Sequence, residues 1–444
     1  MLGLSRPPAL AAGSGLCRRP RGSYGAHDRG RLPRSPHATI GLVDCWVVGG
    51  HVPNEGRACK SGFFCEYYLI FARRRTVDSN QHSSILWLID LADFLSPEQG
   101  QSFMKVLIMT AIYPTPENPA FGSFVRTQAE SLKRSGLEVE LLVMRGRIRK
   151  WLYPKAIFQL RKRLQQDSFD LVHAHFGYVG IVARTQWKVP VVVTYHGDDL
   201  LGTVNERGRK ERWSLLAAAA CKKLARHVDA AIVQSQEMAK QLKRANVFVI
   251  PHEVDYEVFK PTQRSAARAV LGLSPDKKYL LFAANPKIPV KRFPLAKAAA
   301  HALAQKDPSI ELLVVYKETQ EGLALYMSAC DVLVFPSYQE GSPNIIKQAM
   351  ACNLPIVATD VGDVRQVIGK TRDCHICRPN VPEFAARINE ILSRRTRTDG
   401  RTHIRHLNTE AVSGRIIEVY EQVLKNREKR LADSTPTDSY VPAE

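Results

Sequence analysis

Glu340 sits in a loop, Ser337-Tyr338-Gln339-Glu340-Gly341-Ser342-Pro343, that leaves an apolar run at 332–335 and enters a helical stretch from Asn344. A helix that starts there turns free N–H groups and the positive end of its dipole outward, which suits an anionic phosphate or a sugar hydroxyl. Gly341, Ser342 and Asn344 are the residues that would bring those groups to a ligand. Gln348 follows Glu340 by eight residues, about two helical turns, and so shares its face. A second cluster, Asn285-Pro286-Lys287-Ile288-Pro289-Val290-Lys291-Arg292, follows an apolar run at 279–284. Lys287, Lys291 and Arg292 supply the cations a diphosphate needs. Outside such a context each is an ordinary solvated side chain. His196, in Thr194-Tyr195-His196-Gly197-Asp198-Asp199, closes a buried run at 189–195. A strand-end histidine is commonly a satisfied structural group, and Asp198 and Asp199 suit a helix cap.

These candidates need elements to position them. From Met104 onward, apolar runs at 105–110, 138–143, 170–174, 189–195, 230–233 and 247–250 alternate with helical stretches such as 124–134 and 212–225. A second series follows at 279–284, 311–315, 332–335 and 355–358. Continuous apolar runs read as strands covered on both faces, and their alternation with helices predicts an α/β fold of doubly wound parallel sheets. Gly136 stands where a helix C-cap glycine belongs. The pattern lapses between the series. The chain therefore reads as an extension at 1–103, a Rossmann-like domain at 104–250, a linker at 251–277, a second Rossmann-like domain at 278–408, a closing helix at 409–431 (amphipathic over 412–425) and a loose tail at 432–444. Ligands of such sheets bind beyond the carboxyl ends of the strands, so the cleft between the two domains is the expected site.

The stretch from Glu340 to Gln348 resembles the retaining glycosyltransferases of family 4 (group 1), whose signature at this place is Glu, seven residues, Glu. The likeness covers about 104–425 and is strongest to the branch that builds bacterial surface polysaccharides such as teichuronic acid. It implies the GT-B fold, two Rossmann-like domains facing a cleft. It also implies transfer of a sugar from a nucleotide-sugar donor to a polysaccharide or lipid-linked acceptor. On that resemblance Glu340 contacts the transferred sugar, and His196 lies over it and assists charge stabilisation. Gly122, in the loop from Tyr113, brings backbone amides to the donor phosphates or the acceptor, and Lys291 binds the diphosphate. Four departures stand out. Gln348 replaces the acid that holds the nucleotide ribose, and Asn285 replaces a phosphate-binding arginine, leaving Lys287 or Arg292 to compensate. His252-Glu253-Val254-Asp255 replaces Asn-Gly-Val-Asp. Only fifteen residues separate Val315 from Asp331 where relatives carry a further strand–helix unit, so the second sheet should be smaller. The departures leave an alternative: a degenerate GT-B protein acting as a binding or partner subunit. A GT-B epimerase fits the Glu340 stretch less well.

Composition narrows the remaining classes. The chain has 444 residues, 45% of them hydrophobic, with a net charge of +20. No apolar run is long enough to span a bilayer, and Pro7, Pro8, Gly13 and Gly15 break up any signal-peptide core. A cytoplasmic protein, peripheral on the inner membrane face, is the expectation. Positive charge alone does not select nucleic acid, and no recognition-helix set or stacking sheet is present, so no nucleic-acid partner is expected. The segment 145–164 alternates Arg145, Arg147, Arg149, Lys150, Lys155, Arg161, Lys162 and Arg163 with apolar side chains. It reads equally as an anionic-membrane contact and as a solvated helix packed on the first sheet. Arg6, Arg18, Arg19, Arg21, Arg29, Arg31 and Arg34, with Asp28 the one acid among them, resemble a transit peptide. Met104-Lys105-Val106-Leu107 looks like a natural start, so 1–103 reads as a non-globular extension or an overextended start. Cys374 and Cys377 form a C-x-x-C without a second pair, which predicts reduced thiols rather than zinc. No D-x-D-like pair closes a strand in metal-site company. Neither a cofactor nor an essential metal is expected, and the nucleotide-sugar is a co-substrate.

Overall fold

The computed structural model describes residues 43–49, 68–74, 104–144, 152–243 and 246–434. The chain divides into two compact units, Met1–Gln101 and Ser102–Glu444. Within the first, β1 (Val43–Gly49) pairs antiparallel with β2 (Tyr68–Arg74); the expectations for the rest of 1–103 lie outside the described residues.

The second unit holds two parallel sheets. Its first half contains β3 (Lys105–Thr110), α1 (Ser123–Arg134), β4 (Glu138–Val143), α2 (Leu152–Gln166), β5 (Leu171–His175), α3 (Gly177–Ala183), β6 (Val191–Thr194), α4 (Asp198–Leu201), α5 (Arg212–Leu224), β7 (Ala230–Val233), α6 (Gln236–Ala239) and β8 (Val247–Val249). The six strands run in the order β4-β3-β5-β6-β7-β8. All their pairs are parallel. Val106 to Met109, Val191 to Val193 and Ala230 to Val233 are buried, as strands covered on both faces must be.

The second half contains α7 (Arg264–Leu271), β9 (Lys278–Phe282), α8 (Phe293–Ala304), β10 (Ile310–Val314), α9 (Gln320–Ala329), β11 (Val332–Phe335), α10 (Asn344–Ala351), β12 (Ile356–Ala358), α11 (Val364–Ile368), β13 (Cys374–Ile376), α12 (Val381–Arg394), α13 (Gly400–His403) and α14 (Thr409–Ser434). Its sheet has five strands, in the order β10-β9-β11-β12-β13. The missing unit between Val315 and Asp331 leaves β10 as an edge, in line with the expected smaller sheet. Helix α7 falls inside 251–277, where no periodicity had been legible. The closing helix runs through Ser434, and its Val412, Ile416, Val419, Tyr420 and Val423 pack into the core of the first half.

Local chemistry accounts for the ends. Lys133 and Arg134 occupy the last turn of α1, where cations oppose the dipole. Gly136 follows at φ 92°, with its N–H on the Lys133 carbonyl at 3.0 Å, the left-handed stop a glycine supplies. Helix α2 buries Ala156, Leu160 and Leu164 and leaves Lys155, Arg161, Lys162, Arg163 and Phe158 exposed. The earlier part of the basic segment, 145–151, lies outside the described residues.

Candidate active site

In an open α/β sheet the ligand crevice lies where strand order reverses. That point falls between β9 and β11 in the second sheet and between β3 and β5 in the first. Of the residues singled out in the sequence, Gly122 follows β3, His196 follows β6, Asn285 to Arg292 follow β9, and Glu340 to Gln348 follow β11.

On the second sheet, the loop after β9 carries Lys291 and the loop after β11 carries Glu340. The Lys291 Nζ donates to Glu340 Oε1 at 2.6 Å, and both side chains are largely buried, 26% and 14% exposed. The two loops are tied by Tyr338 N–H to the Val290 carbonyl at 2.8 Å. Arg292 turns the other way, its guanidinium 4.4 Å over the Tyr338 ring and donating to the Pro379 carbonyl at 3.1 Å. There it lines a cavity of about 560 Å³ at the carboxyl ends of β11, β12 and β13, with Thr359, Arg365, Arg378 and Glu383. Asn285 accepts the Lys287 N–H at 3.0 Å, a local turn, and Lys287 is exposed. The structure thus sends Lys291 to Glu340 and turns Arg292 away from it.

Helix α10 begins with Pro343 at its N-cap and no side-chain cap. Asn344 Oδ1 is buried there without a partner. Gln348 is half-buried further along the helix. Between them stands Lys347, fully buried, which donates to Ser342 Oγ at 2.7 Å; the same hydroxyl donates to the Asp363 carboxylate. Burial pushes the Lys347 ammonium down to about 8, against the pull of Asp363 and Glu253. Ser342 is therefore part of a buried polar network and not a free donor.

On the first sheet, Gly122 precedes α1 at φ 74°, and a Cβ there would lie 2.7 Å from the Ile112 carbonyl carbon. Only glycine lets the loop close against the end of β3. His196 follows β6 and is partly exposed. Asp199 does not cap α4, whose N-cap is Gly197 with no side-chain cap bond. Its carboxylate accepts the His196 and Gly197 N–H groups at 3.0 Å each and the Gly177 N–H at 2.9 Å, fixing the turn that carries His196. Burial raises that carboxyl to about 6.

The two half-sites touch. A Cβ on Gly341 would meet Gly197 Cα at 3.1 Å and the His196 carbonyl at 3.2 Å, so two glycines let the loops meet. Gln339 Nε2 donates to the Gly202 carbonyl at 2.7 Å, and Lys210 reaches Gln339. Glu340 and His196 thus lie on adjoining loops of one cleft.

This junction also holds polar residues to which the sequence gave no site role: His175, and His252 and Glu253, which it marked only as departures in the linker. His175 and His252 flank His196. Glu253 is 6% exposed, takes the Gln128 amide at 3.5 Å on one oxygen and leaves the other unpartnered. Burial raises it to about 7. The available signals were a lysine among apolar α10 positions and two histidines closing an apolar strand. Among the described residues, no group of three or more His, Cys, Asp or Glu side chains has metal-holding geometry.

Residues 121–258 match the model of Glycosyltransferase Family 4, and residues 278–394 match that of Glycosyl transferases group 1. The chain is 25% identical over 334 residues to the putative teichuronic acid biosynthesis glycosyltransferase TuaC of Bacillus subtilis, covering 60% of this chain and 84% of that one. It is 28% identical over 277 residues to a D-inositol 3-phosphate glycosyltransferase of Mycolicibacterium smegmatis, covering 54% and 63%. Among solved structures, sucrose-phosphate synthase of Thermosynechococcus elongatus superposes with a TM-score of 0.61 at 20% identity, over 73% of this chain and all of that one. Anabaena HepE in complex with UDP and glucose gives 0.51 at 17%, over 73% and 99%. The fold is GT-B, and the chain belongs to the group 1 glycosyltransferases.

Proposed function

We propose that this protein is a retaining glycosyltransferase that moves a sugar from a nucleotide-sugar donor to a polysaccharide or lipid-linked acceptor without a metal. The observation that carries this reading is the Lys291–Glu340 pair, held at 2.6 Å at the switch point of the second sheet beside the uncapped start of α10. A diphosphate entering the crevice competes for Lys291. As the lysine turns to the phosphates, Glu340 is released to accept from a hydroxyl of the transferred sugar. Lys291 and the first amides of α10 then hold the charge that develops on the departing diphosphate, the part a metal plays elsewhere. The acceptor hydroxyl attacks from the face the diphosphate leaves, and its proton passes to a departing phosphate oxygen.

The solved relative HepE is described with UDP and glucose, which makes UDP-glucose the first donor to try. The relative named as a putative teichuronic acid biosynthesis glycosyltransferase supports a polysaccharide acceptor of the cell envelope. A cytoplasmic enzyme peripheral on the inner membrane face fits such an acceptor, with the exposed Lys155, Arg161, Lys162 and Arg163 of α2 toward the bilayer. No described helix is long and apolar enough to cross a membrane. The test is a turnover assay followed by NMR of the product anomer. An α-configured product from α-linked UDP-glucose, lost in Glu340→Gln, is the expected outcome. A β-configured product, or full activity in Glu340→Gln, overturns the mechanism. A folded protein that turns over no donor leaves the partner-subunit reading, which Asn285 and Gln348 favour.

A further inference from the structure

Helices α2, α3 and α5 form one layer on one face of the first sheet. They join β4 to β5, β5 to β6 and β6 to β7, and each step advances the same way along the strand order. Right-handed crossovers that advance in one direction place their helices on one side. Helix α3 packs against both of its neighbours. The layer contains no aspartate or glutamate: α2 brings four cations, α5 three and α3 none. Arg163 takes a carboxylate from outside the layer, Glu140 of β4 at 2.6 Å. On the other side of the sheet α1 and α14 pack together, and there acids are mixed with the bases: Glu130 in α1 and Glu410, Glu418, Glu421 and Glu428 in α14.

The outward side of α5 departs from an ordinary surface helix. Its buried stripe is Ser214, Ala218, Cys221 and Leu224. The exposed positions between its charged ends are Trp213, Leu215, Leu216, Ala217, Ala219 and Ala220. A solvent-facing side normally carries the charges of an amphipathic helix; here they stand at the ends, Arg212 before the apolar side chains and Lys222 and Lys223 after them. Trp213 is 65% exposed and Leu216 75%. Phe158 on α2, 69% exposed, and Ile181 on α3 extend the apolar surface across the layer. Helix α5 also begins beside the cleft. The loop that leads into it presents the Gly202 carbonyl to Gln339 Nε2 at 2.7 Å, next to Glu340.

We propose that this layer docks on an anionic lipid bilayer, with Trp213 and Leu216 entering among the acyl chains and the cations of α2 and α5 meeting the headgroups. This rests on the reading of the protein as peripheral on a membrane, and it names the element that inserts and the way the cleft faces. Charge selects the occupant. A second copy related by a two-fold axis would set the patch against itself, cations against cations with no acid in the layer to pair them. Anionic headgroups supply that counter-charge, and the acyl region takes the tryptophan and leucine side chains, the division an interfacial helix makes. Helix α2 alone offers mainly charge. Helix α5 adds the insertion and, through its start beside Gly202, turns the mouth of the cleft toward the leaflet.

The test uses the full chain and vesicles of phosphatidylserine with phosphatidylcholine whose acyl chains carry bromine, which quenches tryptophan that reaches it. The wild type should sediment with these vesicles at low salt and lose tryptophan fluorescence. Trp213→Phe should still sediment, with a smaller quenched fraction. Leu216→Glu should lower partitioning about tenfold or more, the scale of burying one leucine side chain. Both side chains are exposed, and circular dichroism checks that each variant keeps the fold. A wild type that stays in the supernatant, quenching equal in the wild type and Trp213→Phe, or a Leu216→Glu variant that sediments like the wild type overturns the assignment. A wild-type dimer seen by light scattering and dissociated by Leu216→Glu overturns it in favour of a second copy. No arm needs a sugar donor, so a protein that binds vesicles yet turns over no sugar counts against the proposed transferase and leaves the docking face standing.

Discussion

At the scale of single residues, Gln348 tests how much of the donor site has been given up. A hydrogen bond to a charged acceptor contributes about 1.5–3 kcal/mol and a neutral one about 0.5–1.5. Restoring the acid should therefore add roughly 1 kcal/mol, several-fold in affinity. Gln348→Glu is expected to bind UDP several-fold more tightly by calorimetry, and an unchanged or weaker affinity would remove Gln348 from the ribose position. The positions of Glu340 and Lys291 on loops, and of Gln348 on the helix that follows, were legible because strands and helices alternate there in a short recurring pattern. His252 stood out only as a departure. Its partner His196 is 56 positions away, and no local pattern says that the linker folds back onto that ring. Arg292 shows the reverse failure. Its neighbour Lys291 reaches Glu340, while the backbone at Arg292 turns left-handed at φ 52° and directs it elsewhere.

At the scale of elements, β5 and β6 carry His173, His175 and His196 into surroundings that keep them neutral. Burial lowers each below its ordinary pKa. Such a group contributes stability that is present above the unfolded pKa of about 6.5. That stability is lost as the pH falls toward the folded value, about 3 for His175. The slope is about 1.4 kcal/mol per pH unit for each ring. Glu253 and Asp199, raised to about 7 and 6, pull the other way in part of this window, so the difference between variants is the cleaner quantity. Denaturation of His175→Asn between pH 6 and 4 should lose stability on acidification less steeply than wild type, by about one proton's slope; parallel curves would contradict a neutral buried His175. The strands themselves were legible from apolar runs. The polar residues inside them were not, because burial of a histidine depends on Tyr420 arriving from a helix at the far end of the chain.

At the scale of the whole molecule, a C-terminal helix returns to pack on the first half, and two glycines let the half-sites approach. The fold class followed from alternation alone, but the closeness of the half-sites did not. It depends on Gly197 and Gly341 meeting without side chains. The net charge of +20 belongs to this scale too. Helix α2 packs its apolar side inward and keeps Lys155, Arg161, Lys162 and Arg163 outside with Phe158, so one helix serves the core and leaves a basic face available. Each basic group near an anionic leaflet is worth about 1 kcal/mol. The full chain should sediment with phosphatidylserine vesicles at low salt and be released at high salt. Failure to sediment at low salt would end the membrane role of 145–164.

The central claim is that the crevice between β9 and β11 binds a nucleotide-sugar through Lys291 and Glu340. Calorimetric titration of UDP, GDP and ADP into the full chain in buffer containing EDTA tests it most directly, with Lys291→Met as the comparison. Binding of one nucleotide despite the chelator, weakened about tenfold or more by the loss of a charge-assisted phosphate contact in Lys291→Met, is the predicted result. A folded wild-type protein that binds none of the three, or a Lys291→Met variant that binds as tightly as wild type, would contradict it.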